Sequence, residues 1–299
     1  MSGRIHKVRH AKRAAAPFRS IYGAEVETIH NPKLRQHAPY HKSAPQGVKV
    51  CSRADVKRRL PRLRPWKARP IMGPLEGEMH DVRFQGEDIL ARQLELADRN
   101  FKQLKERSVR AVSVMGAIGS GKTTLIERLI VRGASSGLRV GTIAADSAGD
   151  DDHVRFLARN AASVNVNTQD DCHLDAHTVQ HALEELPLDD IDWLFIENVG
   201  NLICPADFPL GTELEMVVIS VTEGDDMVRK HPKIFAQTDL VVINKVDLAN
   251  AVGVDPNRIV SDYAKVNPHG VALQTDALHE RGIDELARAL GLECTNTLW

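Results

Sequence analysis

Apolar residues follow two different spacings along residues 86–290, and the two spacings alternate. Short apolar runs of strand length are separated by stretches in which apolar residues recur every three or four positions. The runs predict strands at 109–115, 139–145, 163–166, 192–196, 215–221, 240–244 and 271–273, and the helical spacing predicts helices at 86–107, 123–132, 153–160, 176–186, 256–266 and 283–290. Because strands alternate with helices, we expect an α/β fold with a doubly wound, mostly parallel sheet covered on both faces.

The 299 residues have a formal net charge of -1, but the two signs are unevenly distributed. Residues 1–70 contain 18 Lys or Arg against three acidic residues, a balance of +15, and the remainder carries -16. Proline recurs in this basic stretch and its apolar periodicity is weak. We therefore predict a disordered basic arm over residues 1–78 and one globular domain over residues 79–299.

Two further features indicate the compartment. No apolar run approaches the ~20 residues that a membrane helix needs, so we expect no membrane contact. The four cysteines are too few and too scattered for a disulfide framework. This pattern favours a reducing, cytoplasmic setting, in which thiols remain free to bind metal.

Residues 116–123 read GAIGSGKT and match the phosphate-binding loop of P-loop NTPases in full. The match lies between a predicted strand and a predicted helix, which disfavours the alternative of a glycine-rich turn with a chance Lys-Thr pair. Glycines let the backbone amides point at phosphates, Lys122 should reach the β- and γ-phosphates, and the Thr123 hydroxyl should hold Mg²⁺. The predicted nucleotide-binding residues of this loop are Gly116, Gly119, Ser120, Gly121, Lys122, Thr123 and Thr124.

The tetrapeptide Asn244-Lys245-Val246-Asp247 leaves a predicted strand well downstream of the phosphate loop. Asp247 can accept hydrogen bonds from the ring N–H and the exocyclic amine of guanine, and adenine offers no matching donors. A site built on such bonds can reject the wrong base by about 10⁴–10⁵. Asn244 would brace the loop, and the Lys245 stem would lie along the base. The sequence therefore predicts GTP and GDP as ligands.

Glu197 and Gly200 follow another predicted strand. A carboxylate at a strand end that faces a phosphate loop commonly supports Mg²⁺, and Gly200 would offer its amide to the γ-phosphate. Asp146 leaves the strand at 139–145 and could orient the attacking water. For Asp150 and Asp151 we favour a solvated loop. The predicted catalytic residues are Lys122, Thr123, Asp146 and Glu197, of which Thr123 and Glu197 also hold Mg²⁺.

Cys172, His173 and Cys204 are candidates for a transition-metal site. They follow predicted strands, so they should lie at the edge of the sheet where ligands bind. Thiolate and imidazole suit Zn, Ni or Cu(I), although a single cysteine is more often a small buried hydrophobe. Three ligands are too few for a closed structural zinc site, and dimerisation would double them.

With these residues in place, the chain resembles the HypB family, GTPases that assist nickel insertion into nickel–iron hydrogenase. The resemblance covers residues 86–290. It depends on GAIGSGKTTLIERLI from Gly116, NTQDDCHLDAHTV from Asn167, IENVGNLICPADFPLG from Ile196, SVTEGDD from Ser220 and NKVDL from Asn244.

The resemblance implies slow GTP hydrolysis, a homodimer that forms on GTP binding, and a Ni²⁺ or Zn²⁺ site at its interface from Cys172, His173 and Cys204. It also implies a nickel- or zinc-binding maturation partner and the hydrogenase large subunit as client. The chain departs from the family where Met227 and Val228 replace a usual Lys-Pro pair, and where the Ser-Ala signature of the final guanine loop is degenerate.

The sequence leaves three alternatives open. The related urease-accessory GTPases usually have Glu-Ser-Gly-Gly where this chain has Glu-Asn-Val-Gly at 197–200. A non-catalytic metal buffer would not require the intact Lys122, Thr123 and Asp247. A nucleic-acid-binding regulator is suggested only by the basic arm, so nucleic acid is an unlikely partner.

Overall fold

A computed structural model describes residues 25–26, 80–146, 149–168 and 173–292. Its strands are β1 (Glu25–Val26), β2 (Arg110–Met115), β3 (Val140–Asp146), β4 (Ala162–Asn167), β5 (Trp193–Glu197), β6 (Leu214–Ser220), β7 (Leu240–Asn244) and β8 (Val271–Gln274). Its helices are α1 (His80–Glu106), α2 (Lys122–Ser135), α3 (Asp151–Ala158), α4 (Ala176–Glu185), α5 (Met227–Lys230), α6 (Pro232–Gln237), α7 (Ala249–Val252), α8 (Pro256–Val266) and α9 (Ile283–Leu290).

In the described part of the chain the strands form one sheet in the order β1-β4-β3-β5-β2-β6-β7-β8. Strands β2 to β8 pair in parallel, and β1 pairs antiparallel with β4. The predicted doubly wound parallel sheet is therefore confirmed. Of the basic arm, the described residues include only β1, so apart from residues 25–26 the prediction of disorder over residues 1–78 falls on residues outside them.

Apolar side chains alternate between the two faces of the sheet. Val112 and Val114 of β2 pack in a core with α2, α3 and α9, and Ala111 faces a second core with α1 and α4. A third core, on the same side as the second, joins α6 and α8 to Val217 of β6. Helices thus cover both faces of the sheet. This explains why the central strands are continuous apolar runs and do not alternate between apolar and polar residues.

Several boundaries differ from the sequence prediction by one to six residues, and two of these differences have a clear physical reason. Val221 was expected to end a strand but begins a 3₁₀ turn, Val221–Glu223. Ser220 and Glu223 form a reciprocal capping box that turns the chain at this point. Helix α1 begins six residues before the expected position of 86, because its first turns lack the apolar spacing used to predict it.

The order of the strands determines where a ligand can bind. After β2 the chain adds β3, β4 and β5 on one side of that strand, and it then crosses to add β6, β7 and β8 on the other side. Ligands of doubly wound sheets bind beyond the carboxyl ends of the strands at such a reversal. Here that edge carries Gly116 after β2, Glu197 at the end of β5 and Asn244 at the end of β7.

Candidate nucleotide and metal-ion site

The phosphate loop joins β2 to α2, as its sequence predicts. Gly116 and Gly121 have positive φ angles of 151° and 97°, and a Cβ at Gly116 would lie 2.2 Å from the carbonyl oxygen of Val218 in β6. A Cβ at Gly121 would lie 2.4 Å from Nδ2 of Asn244. Both glycines are therefore required by close packing as well as by backbone conformation. The amides at the start of α2 face the loop and make it a site for anions.

Lys122 is the first residue of α2, and its ammonium group is buried beneath the loop. The Nζ atom donates to the carbonyl oxygens of Gly116 at 3.0 Å and Ala117 at 3.2 Å. Burial lowers the pKa of Lys122, although nearby Glu197, Asp152 and Glu223 oppose the shift. A phosphate would add the counter-charge that this enclosed cation lacks at close range.

Glu197 and Thr123 meet at the end of β5. The Thr123 hydroxyl donates to Oε1 of Glu197 at 2.8 Å, while the buried Oε2 has no hydrogen-bond partner among the described residues. Burial, with a smaller contribution from Asp152, raises the pKa of Glu197 to about 7. A buried carboxylate with a free oxygen beside a threonine hydroxyl fits a Mg²⁺ ion, which prefers oxygen ligands. These two residues would hold that ion, and it would supply positive charge beside the β- and γ-phosphates.

Asp152, near the start of α3, is a residue of this site that the sequence did not single out. Its charge acts on both Lys122 and Glu197, and its carboxylate pairs with Arg155 at 3.5 Å. Arg155 also donates to the Thr124 hydroxyl at 3.1 Å, which ties α3 to the phosphate loop. By contrast, the Asp146 carboxylate lies against Gly149 of its own loop, so its catalytic role stays a prediction.

The end of β7, where the sequence predicts base recognition, is linked directly to the phosphate loop. Asn244 donates from Nδ2 to the carbonyl oxygen of Ser120 at 3.0 Å, and its Oδ1 accepts from the Thr275 hydroxyl and the Ala277 amide, both at 3.1 Å. Lys245, with φ of 61°, reaches over the loop to the Gly119 carbonyl oxygen at 2.7 Å. Thr275 and Ala277 lie in the segment whose degenerate sequence gave no site residue.

One group of three side chains in the described part of the chain could hold a cation, and it lies beside this strand end. Carboxylate oxygens of Asp247 and Asp276 and a ring nitrogen of His279 are within 4.8 Å of one another. Asp247 and His279 are exposed, whereas Asp276 is buried. Asp247 is the residue that the sequence assigned to guanine.

The candidate transition-metal residues are partly described. Cys172 lies outside the described residues. His173 stacks on Phe208, with ring centroids 3.8 Å apart, and Phe208 directly follows the 3₁₀ turn Cys204–Asp207. The structure therefore brings the segment of His173 against that of the half-buried Cys204. Burial lowers the pKa of His173, which favours the neutral imidazole that binds metals.

Asn198 joins this region to the nucleotide site. It directly follows Glu197, and its buried Oδ1 accepts the amides of Leu174 at 3.0 Å and Val199 at 2.9 Å. Leu174 is the residue after His173. A single amide side chain thus connects the loop after β5 to the segment that contains His173.

The remaining predicted contacts lie at the same edge of the sheet. A Cβ at Gly200 would lie 2.2 Å from Cγ1 of Ile118, so the two loops touch. Gly116 pairs as an antiparallel bridge with Asn201. The Ser120 side chain is fully buried, and its hydroxyl has no hydrogen-bond partner among the described residues.

The fold and this site define a P-loop nucleotide-binding domain with a parallel sheet. The chain belongs to the CobW/HypB/UreG family, whose nucleotide-binding domain matches residues 110–274. That family consists of P-loop NTPases.

The chain is similar over two thirds of its length to HypB proteins. It is 50% identical to the probable hydrogenase maturation factor HypB of Methanocaldococcus jannaschii, over 67% of this chain and 90% of the relative. It is 37% identical to HypB of Escherichia coli, over 66% and 68%.

Two solved structures show the same fold. The HypB structure from Archaeoglobus fulgidus has a TM-score of 0.63 and 44% identity, and the match covers 67% of this chain and 97% of that one. HypB from Helicobacter pylori, in complex with nickel, has a TM-score of 0.63 and 25% identity, over 69% and 100%. The resemblance drawn from the sequence motifs is confirmed. Within the described residues, no helix is long and apolar enough to cross a membrane.

Proposed function

We propose that this chain is a GTP-hydrolysing metallochaperone that assists nickel insertion into nickel–iron hydrogenase. The relatives named hydrogenase maturation factor and the nickel complex of one of them support the proposal. The observation that carries it is the hydrogen bond that the Leu174 amide donates to Oδ1 of Asn198, because it links the loop after Glu197 to the segment of His173.

In this proposal each nucleotide-site residue has a defined task. Lys122 exchanges its loop carbonyl partners for the β- and γ-phosphates, and Thr123 and Glu197 would hold Mg²⁺. Gly200 contacts the γ-phosphate, while Asn244 and Lys245 shape the pocket in which Asp247 selects guanine. Loss of the γ-phosphate on hydrolysis removes the contact at Gly200, and the Glu197–Asn198 loop relaxes.

The metal is cargo in this proposal. Cys172, His173 and Cys204 would bind Ni²⁺ or Zn²⁺, and a homodimer formed on GTP binding would bring two such sets together. A movement of Asn198 shifts Leu174 and with it His173, so nucleotide state changes metal affinity. The partners are a nickel- or zinc-binding maturation protein and the hydrogenase large subunit, and the setting is the cytoplasm.

The proposal is tested by measuring hydrolysis of GTP and ATP and the Ni²⁺ affinity of the purified chain with GDP and with a non-hydrolysable GTP analogue. We expect hydrolysis of GTP only, and a loss of roughly 10²-fold or more in Lys122→Ala. Nickel affinity should differ about 5- to 150-fold between the two nucleotide states, the usual range of coupling between sites.

Asn198→Ala provides the matched variant. It should still bind GDP and nickel, but the difference in nickel affinity between the nucleotide states should shrink. Thermal melting establishes that the variant is folded. Equal nickel affinity in both states of the wild-type protein would reject the coupling, and the absence of GTP hydrolysis would reject the enzyme.

A further inference from the structure

The loop between β8 and α9 holds a polar pair with no role in the proposed mechanism. Asp276 is 1% exposed, and its carboxylate accepts the backbone N–H of His279 at 3.1 Å and meets the ring Nδ1 at 2.7 Å. An ionised carboxylate has no hydrogen to donate, so Nδ1 carries the proton in this pair. In the neutral ring, Nε2 then keeps a free lone pair and is a hydrogen-bond acceptor.

The imidazole lies beside the residue that reads the base. A ring nitrogen of His279 and a carboxylate oxygen of Asp247 are within 4.8 Å of each other. The Watson–Crick edge of guanine offers the ring N–H and an exocyclic amine with two hydrogens. A carboxylate that takes the ring N–H and one amine hydrogen leaves the second amine hydrogen without an acceptor.

One ring nitrogen of His279 lies close enough to the Asp247 carboxylate for the two side chains to serve the same amine. Two acceptors about 2.9 Å from one nitrogen, along N–H bonds 120° apart, are separated by about 5 Å. We propose that His279 is a specificity-determining residue that accepts the second amine hydrogen of guanine, while Asp276 fixes its ring. This inference depends on the proposed guanine-nucleotide function.

Arg128 of α2 holds this loop in place. Its guanidinium donates to the carbonyl oxygens of Ala277 at 3.1 Å and Leu278 at 3.2 Å, and to the Glu280 carboxylate at 2.7 Å. The helix that begins at the phosphate loop therefore also positions the residues on either side of His279. Helix α2 therefore positions both the phosphate loop and the loop of His279.

The test compares GDP with inosine diphosphate, which lacks the exocyclic amine, by titration calorimetry. His279→Ala should weaken GDP binding about 3- to 10-fold, as expected for one hydrogen bond, and change inosine diphosphate binding less than about 2-fold. His279→Gln retains an acceptor oxygen and should recover part of the GDP affinity. His269→Ala is the control, because His269 is exposed and precedes β8 at the opposite edge of the sheet.

An equal loss for both nucleotides in His279→Ala would show that His279 only shapes the loop and would overturn the proposal. Unchanged GDP affinity would overturn it as well. In either case a wild-type preference for GDP over ADP would still support the proposed function. If the wild-type protein showed no such preference, both the role of His279 and the proposed function would be rejected. Melting temperatures of all three variants establish that they are folded.

Discussion

Glu197 shows how one buried carboxyl group at the phosphate loop affects the stability of the fold. It is 3% exposed, and burial raises its pKa from 4.5 to about 7. Between these values the folded protein binds more protons than the unfolded chain, so stability falls as the pH rises. The stabilising contribution of the protonated group is present below about pH 4.5 and is lost as the pH passes 7.

Replacing Glu197 by Gln should therefore stabilise the nucleotide-free protein at high pH. We expect the variant to be more stable than the wild type by roughly 1–3 kcal/mol at pH 8 and equally stable near pH 4.5. Denaturant unfolding in magnesium-free buffer across this range measures the difference. The same variant should lose the magnesium dependence of nucleotide binding. A difference in stability that did not vary with pH would contradict the assignment.

Site residues that belong to motifs of fixed spacing could be predicted from the sequence. Site residues that only the packing of helices and turns brings to the site could not. Lys122, Thr123 and Asn244 could be named because each occupies a defined position in a short contiguous pattern. Asp152 could not be distinguished from its acidic neighbours, since only the orientation of α3 brings it toward Glu197. Asp276 was missed because its burial and its bond to His279 depend on a turn without a recognisable signature.

Among the elements, the join between the phosphate loop and β6 is tightly packed at Gly116. Gly116 leaves β2 with φ of 151°, and its position against the Val218 carbonyl leaves no room for a side chain. Gly119 in the same loop also has a positive φ, 78°, but a Cβ there would meet nothing within 4 Å. Comparing substitutions at the two glycines therefore distinguishes the cost of backbone strain from the cost of steric overlap.

Gly116→Ala should destabilise the protein by about 2–3 kcal/mol, because overlap with β6 adds to strain. Gly119→Ala should cost about 1 kcal/mol from backbone conformation alone. Thermal and denaturant unfolding of the two variants give the comparison. Equal losses would show that the sheet edge yields to the added methyl group.

Strands were the elements most readily predicted, because burial on both faces makes them continuous apolar runs between polar turns. The short helices α5, α6 and α7 were not expected, since four to six residues cannot display a helical period. Helix α1 was predicted from its apolar stripe. The polar Asn100 lies on the same helix and is fully buried, which the apolar spacing did not predict. Its amide donates to the carbonyl oxygens of Ala176 and Leu210, contacts that only the tertiary structure provides.

At the scale of the whole molecule, apolar side chains are exposed at the nucleotide edge. Ile118 in the phosphate loop is 85% exposed, and Ile203, beside Cys204, is 65% exposed. Exposed apolar groups around a binding site favour contact with another protein surface. In the proposed homodimer, both side chains would be covered when GTP draws two copies together.

Ile203→Asp tests this surface without altering a nucleotide-binding residue. The wild-type protein should shift from monomer to dimer with magnesium and a non-hydrolysable GTP analogue, and the variant should stay monomeric because a carboxylate would be buried unpaired. Light scattering after size exclusion measures the mass. Val131→Asp on α2 is the control, since Val131 is 46% exposed but lies outside the loops. Dimerisation of Ile203→Asp like the wild type would place the contact elsewhere.

The bonds of Asn244 have a consequence for the order in which this protein matures during synthesis. The residue is tied to Ser120, 124 positions earlier, and to Thr275 and Ala277, 31 and 33 positions later. A nascent chain on the ribosome exposes its phosphate loop long before those later residues emerge. We therefore expect tight nucleotide retention only after residue 277 has left the ribosome, because the contacts of Asn244 with Thr275 and Ala277 cannot form earlier.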